Sequence, residues 1–493
     1  MFAPYSQVLS LPDVLHLLRR LSFSVDWKTA QGFVGKNSDA VIEQILNAAQ
    51  KPPALTKFLW LDIGFPSFWK LSGEERQRLS DDSFRRMYQE NYELKREWMK
   101  QMTVQPISFA DKMALFWHGH FTTKFAIDDL FPASLMYKQL ELFRNFHQGN
   151  LRLLIESIIE DGAMLVYLNG KDNTKNAPNE NFSRELLELY TTGIGHYSED
   201  DVKEGARVFT GWKVNIFTEE WQSVPIFKSF VFALDHDFGD KKYLGETIRP
   251  SSTLSQENAV KDEVKQLVDI ILRKKSVEVS TFIAAKLFRY FVYSNPKKED
   301  DALIAQLASK LRSSNWEIRP VLDLLFKSQF FFSEKVKGVQ IKTPSETVVG
   351  ITKHFDVKED WKEWVMLTMG QELLNPPNVA GWPGYRKWMD TRTLPFAIQQ
   401  MSSFIWSQTN VNMVNWVKQF QNPEDVNTLL PQILSLFFAK EPTAAQILKY
   451  KQELLGLIPE YEWPNMLETV ESAAFRLKLL MVAIFKSPDF HLC

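Results

Sequence analysis

Apolar residues recur at spacings of three and four through most of the chain, as in Val14, Leu17, Leu18 and Leu21, or in Leu142, Phe146, Leu151, Leu154, Ile155 and Ile158. That period is the stripe a helix turns toward a core, so the pattern predicts a mostly α protein, a large multi-helix body of short, numerous helices. Start and stop signals fall where such helices need them. Ser38 or Asp39 is placed to cap AVIEQILNAAQ ahead of Pro52-Pro53, Thr443 to cap AAQILKYKQELLGLI ahead of Pro459, and Ser198 with Asp201 has capping-box spacing for a helix reaching Phe209. One region breaks the period. WKVNIF, SVPIFKSFVFAL and KKYLGE set aromatic and branched residues between turn formers, which predicts a small antiparallel β insertion near 212–246.

The charge-rich stretch of roughly 70–102 has only scattered apolar anchors and reads as a solvated helix or pair of helices. The polar segment around 246–262, with Pro250 and a serine cluster, makes the best internal boundary. It divides the chain into an N-terminal helical part, 1–250, that carries the β insertion, and a C-terminal helical part, 251–493, packed with it as one body. A composition of 45% apolar, 13% aromatic and 24% charged residues removes the disordered, collagen-like and coiled-coil classes. With 58 basic against 60 acidic residues there is no electrostatic footprint for nucleic acid, which is therefore not an expected partner. The single cysteine, Cys493, excludes an intramolecular disulfide and a Cys-based zinc site. No window approaches about 18 uninterrupted apolar residues, so no membrane span is expected. The start, MFAPYSQVLSLPDVLHLLRR, places its positive cluster after the apolar residues, unlike a secretory signal. The expected location is cytoplasmic, or periplasmic or envelope if a leader was removed.

Chemistry can sit in four places. His118 and His120 lie one residue apart; in a strand their rings would share a face, and in a helix they would diverge by about 200°. Such a pair, with carboxylates, can hold zinc, iron or manganese, or one ring can act as a base; the plainer alternative is two buried histidines bonded to backbone carbonyls. Glu180, Arg184 and Glu188 fall at i, i+4 and i+8 of a helix opened by Pro178 and Asn179, with Asn181 and Glu185 beside them. Exposed, these pairs contribute about 0.2–0.5 kcal/mol each. Buried, each unpaired carboxylate would cost several kcal/mol, a cost tolerated at a metal, a substrate or a full ion-pair network. Asp235-His236-Asp237 with Lys241-Lys242 gathers acids, an imidazole and ammonium groups at a turn. The stretch Asn375–Trp388 is rigid and aromatic; Trp382, Tyr385 and Trp388 can stack on a sugar or flat ligand, with Arg386 for an acid group. His196 is a weaker candidate, and Glu199, Asp200 and Asp201 already occupy the helix start beside it, which argues against phosphate there.

FWHGHFTT, PNENFSRELLELYTTGIGHYSEDDVKEGARVFTGW, HDFGDKKYLG, KTPSETVVG and LLNPPNVAGWPGYRKW follow one another in the order typical of one bacterial family. Through them, and from LLRRLSF near residue 17 to KSPDFHL at the end, the chain resembles the domain of unknown function 1800 family. The resemblance implies no particular activity. It implies weight on His118, His120, Asn179, Glu180, Asn181, Arg184, Glu185, Glu188, His236, Lys241 or Lys242, Trp382 and Trp388, and it suggests a partner protein with a sulfatase-like or alkaline-phosphatase-like fold, because members are often encoded beside one. Asp161-Gly162-Ala163-Met164-Leu165 and Tyr167-Leu168-Asn169 depart from the family's usual Asp-Pro-Ala-Met-Leu and Tyr-Leu-Asp, which argues against a catalytic use of position 169.

These observations lead to one expectation: an enzyme whose distant motifs meet in a single polar cleft. Glu180, Arg184, Glu185 and His236 would form its catalytic set, and His118, His120 and Glu188 would hold a divalent metal (Zn, Fe or Mn). Asn179, Asn181, Lys242, Trp382, Arg386 and Trp388 would contact the substrate in hydrolysis or oxidation. The rival expectation is a non-catalytic helical scaffold, or a binding module for a partner protein or glycan, in which the same motifs form structural ion-pair networks.

Overall fold

The structure is a computed structural model that describes residues 2–125, 131–355 and 357–493. Its described residues form 22 α-helices and two small two-stranded antiparallel sheets, a mostly α architecture as the apolar period predicts. No helix among them is long and apolar enough to cross a membrane. The helices share one continuous core that runs from Phe2 to Phe490.

Local chemistry explains where helices begin. Thr443 caps Ala444–Leu455 in a reciprocal box with Gln446, and Ser198 caps Glu199–Val208 in the same way with Asp201. Asn37, not Ser38 or Asp39, caps Ser38–Ala49, its side chain accepting from the Ala40 N–H at 3.1 Å. Ser38 is unavailable because its buried hydroxyl donates to the Tyr5 carbonyl at 2.6 Å.

The β insertion is two separate hairpins. β1 (Trp212–Val214) pairs with β2 (Ser229–Val231), and β3 (Lys241–Tyr243) pairs with β4 (Glu246–Ile248), so it extends slightly past 246. β3 packs on the Glu199–Val208 helix. The polar segment after β4 ends at Ser255, which caps a Gln256–Lys274 helix that touches both Leu151–Ile159 and Glu199–Val208.

The charge-rich stretch forms one helix of 32 residues, Gly73–Val104. Only its first half is a wet face. From Met87 onward it buries Leu94, Trp98, Met99 and Met102 together with Glu90, Asn91 and Lys95. Pairing supports part of this burial: Lys95 bridges Glu363 at 3.4 Å and Glu372, and the neighbouring buried Glu97 accepts from the Thr56 hydroxyl at 2.8 Å. Glu90, 2% exposed, is pushed up to about 7 by burial, against the pull of Arg86. The folded chain therefore keeps a proton that the unfolded chain releases above its ordinary value of 4.5. Stability from this group is complete below that pH and is lost as pH rises to about 7. Urea unfolding across this window should show the native protein losing ground to Glu90→Gln as pH rises; parallel pH profiles for the two would contradict the assignment.

Candidate functional site

A cavity of about 310 Å³ opens between the end of the Phe109–His120 helix, the Ser276–Phe291 helix and the loop 380–388. The Ser276–Phe291 helix commits Val279, Ile283, Leu287 and Phe291 to the core, which leaves Lys286, Arg289 and Tyr290 to line the cavity. Phe116, Gly119 and His120 form the second wall, and Trp382, Pro383, Gly384, Tyr385 and Trp388 the third. No Asp or Glu lines it among the described residues.

Two glycines let the loop reach the helix. Gly381 has φ of +84°, and a Cβ there would stand 2.3 Å from the Gly119 carbonyl oxygen. A Cβ at Gly119 would meet the Trp382 ring at 3.7 Å. The backbones touch, and the Trp382 indole is held against the helix end, its ring 5.5 Å from that of His118. The Trp382 N–H is buried with no acceptor among the described residues.

The cavity's most defined polar element is His120 with Lys286. His120 Nε2 lies 3.0 Å from the Tyr190 carbonyl and Nδ1 2.8 Å from Lys286 Nζ. A carbonyl only accepts, so the hydrogen-bond pattern assigns the proton to Nε2 and leaves Nδ1 to accept from Lys286. Burial, together with the adjoining Lys286 cation, holds the imidazole well below its ordinary value, so the ring is neutral. Lys286 also donates to the Leu189 carbonyl at 3.2 Å and sits 4.7 Å over the Phe282 ring. Burial, aided by Arg289, brings its ammonium down to about 8. Leu189 and Tyr190 belong to a π-helical turn, Leu186–Thr191, that continues the short Asn181–Glu185 helix. The motif around Glu180 thus reaches the cavity wall through the end of its backbone, where late carbonyls need partners, and not through its carboxylates.

The other sequence candidates lie elsewhere. His118 and His120 are both helical, so their rings diverge: His118 is enclosed by Trp98, Phe143 and Trp382, and burial alone pushes it down to about 3. Glu188 accepts from the Tyr197 hydroxyl at 2.9 Å. Among the described residues no group of three or more His, Cys, Asp or Glu is placed to hold a metal ion. Arg184 bridges Glu180 at 3.0 Å and Glu199 at 2.7 Å on an open face, where such pairs contribute at most about 1 kcal/mol. Glu185 is half-buried, and burial, with Glu188 adding to it, raises its carboxyl. Asn179 accepts from the Asn181 N–H at 3.0 Å in a local turn, Asn181 is exposed, and so is His196.

His236 is buried away from the cavity wall. Its Nδ1 lies 2.7 Å from the Thr210 carbonyl and its Nε2 3.2 Å from Glu263 Oε1, while the other oxygen of Glu263 takes Lys241 Nζ. Lys242 points outward, and its backbone N–H donates to Glu204 at 2.7 Å. In the aromatic loop Trp382 and Trp388 reach the cavity, whereas Arg386 is exposed and lies over the Tyr385 ring at 5.3 Å. Lys286 and Arg289 are the charged cavity residues that sequence reasoning missed. Their signal was two cations interrupting an otherwise apolar helix, IAAKLFRYF.

Neither the curated proteins nor the solved structures contain a match to this chain. The family model described as "Protein of unknown function (DUF1800)" matches residues 16–492, nearly the whole chain. The motifs that walled the cavity, FWHGHFTT and GWPGYRKW, fall within that span, and the chain belongs to this family.

Proposed function

We propose that the cavity is an enzyme-like site that binds a small organic anion with a flat or ring-shaped body. The observation that carries this reading is the sorting of charge: Lys286 and Arg289 stand in the wall with a neutral His120, no carboxylate among the described residues faces them, and Trp382, Tyr385 and Trp388 supply the opposite side. Arg289 has no ion-pair partner among the described residues, so a ligand's acid group can take its guanidinium. A volume of about 310 Å³ suits a small ligand. Lys286, brought down to about 8 and held by its hydrogen bond to His120, is suited to move a proton to or from the bound molecule.

A metal-assisted hydrolysis or oxidation through His118 and His120 draws no support from this arrangement, because one ring is enclosed by aromatics and the other is engaged at both nitrogens. The scaffold reading keeps one observation of its own. The enclosed His236–Glu263–Lys241 set accounts for that motif as an ion-pair network that pins the second hairpin to the Gln256–Lys274 helix.

Titration of intrinsic tryptophan fluorescence with benzoate, 4-hydroxybenzoate and glucuronate tests the proposal. Saturable quenching by at least one is expected, and the exposed Arg289→Met change should weaken it tenfold or more, about 1.4 kcal/mol, without moving the thermal midpoint. No saturable response to any of the three, or equal affinity in the variant, would overturn it.

A further inference from the structure

We propose that Lys286 is a nucleophile that forms an imine with the carbonyl group of an anionic aldehyde or 2-oxo acid. The inference rests on the anion-site reading above and adds to it the class of substrate and the bond that forms. Three features on the cavity wall carry it.

The first is the fixed orientation of Nζ. Two of its N–H directions are taken by His120 Nδ1 at 2.8 Å and the Leu189 carbonyl at 3.2 Å. The remaining position carries a proton in the ammonium and the lone pair in the free amine, so the attacking pair has one defined direction. The second is Arg289, one helical turn along the same wall and without a carboxylate partner among the described residues. Residues three apart on a helix have Cβ atoms about 5–6 Å apart, close enough for one small molecule to place a carboxylate on the guanidinium and its adjacent carbonyl carbon on the amine. The third is the setting. No carboxylate among the described residues of the lining competes for the lysine, and burial makes its free amine accessible near pH 8, as imine chemistry requires.

The step balances without an outside oxidant or reductant. The Nζ lone pair attacks the carbonyl carbon, the C=O π pair moves to oxygen, and a proton passes from nitrogen to that oxygen, giving a carbinolamine. A second proton reaches the hydroxyl, the C–O bond breaks, and water leaves as the nitrogen pair closes the C=N bond. From ammonium and carbonyl the products are an iminium and one water. His120 Nδ1, bonded to the nitrogen, holds it in place while the proton passes from nitrogen to oxygen.

The test uses the whole chain with glyoxylate and pyruvate as probes, trapping by sodium cyanoborohydride, and peptide mapping by mass spectrometry. With glyoxylate the expected product is a carboxymethyl group on Lys286, saturable in probe and at least tenfold enriched over any other lysine. Excess benzoate should suppress it. Arg289→Met should lower capture of glyoxylate at least tenfold more than capture of uncharged propionaldehyde, which loses only the influence of Arg289 on the Lys286 amine. Labelling spread over many lysines without enrichment would overturn the imine. So would a Lys286 left unlabelled by glyoxylate and pyruvate while benzoate still quenches fluorescence, and in that case the anion site itself would stand. Loss of both labelling and quenching would remove both proposals.

Discussion

Replacing Glu263 with Gln is expected to destabilise the protein by about 3–5 kcal/mol, the largest effect of any single change considered. Glu263, His236 and Lys241 have no solvent exposure in their side chains, and the two carboxylate oxygens each hold one of the other two groups. Removing the charge takes from the enclosed Lys241 ammonium its directly bonded carboxylate and leaves only the more distant Asp237, and burial already works against that ammonium, lowering it from its ordinary value. The damage should be local in origin. The set joins the turn at His236 and strand β3 to the Gln256–Lys274 helix, so the second hairpin should loosen first. Adding Lys241→Met to Glu263→Gln should cost less than the sum of the two single changes, since the double variant buries no orphaned ammonium. Urea unfolding of the single and double variants measures this. A loss below about 1 kcal/mol for Glu263→Gln, or strict additivity, would contradict the account.

The second large effect is expected at Gly381. Its φ of +84° disfavours any residue with a Cβ, and that Cβ would lie 2.3 Å from the Gly119 carbonyl oxygen, a rigid backbone atom. Strain and clash together should cost about 2–4 kcal/mol in Gly381→Ala, or push the loop away from the helix end. Either response disturbs the Trp382 wall, so fluorescence quenching by organic anions should be lost along with stability. Gly384 supplies the internal control. It has φ of +63°, but a Cβ there would approach only Trp388 Nε1, at 3.9 Å. Gly384→Ala should therefore cost only the backbone strain of its glycine-favouring conformation, about 1–3 kcal/mol, without the clash at the helix end. Equal effects at the two positions would show that the close approach between loop and helix does not matter.

The helical architecture was legible because a three-and-four apolar period leaves little else that the chain can do, and the boxes at Ser198 and Thr443 were legible because capping is local. Asn37 was missed because its competitor, Ser38, is diverted by Tyr5, a contact made 33 residues away. The choice between Lys241 and Lys242 turned on strand alternation: β3 buries Lys241 and Tyr243 and exposes Lys242 between them. The convergence of His120 with the Gly-Trp-Pro-Gly loop was visible as a pair of unusual motifs. The Lys286 wall was not, because Lys286 finds His120 across 166 residues and nothing in IAAKLFRYF announces a partner. Glu180, Arg184 and Glu188 read as a functional stripe because spacing shows which residues share a face but not whether that face is buried. A π-turn then sends the backbone, not the carboxylates, toward the cavity.

The central claim is that organic anions bind between Lys286, Arg289 and the Trp382 loop. Its most direct test is a crystal structure grown with benzoate at several times its measured dissociation constant. The account predicts the benzoate carboxylate hydrogen-bonded to the Arg289 guanidinium and its ring against Trp382. Benzoate ordered at another place on the protein, with only solvent between Arg289 and Trp382, would contradict it.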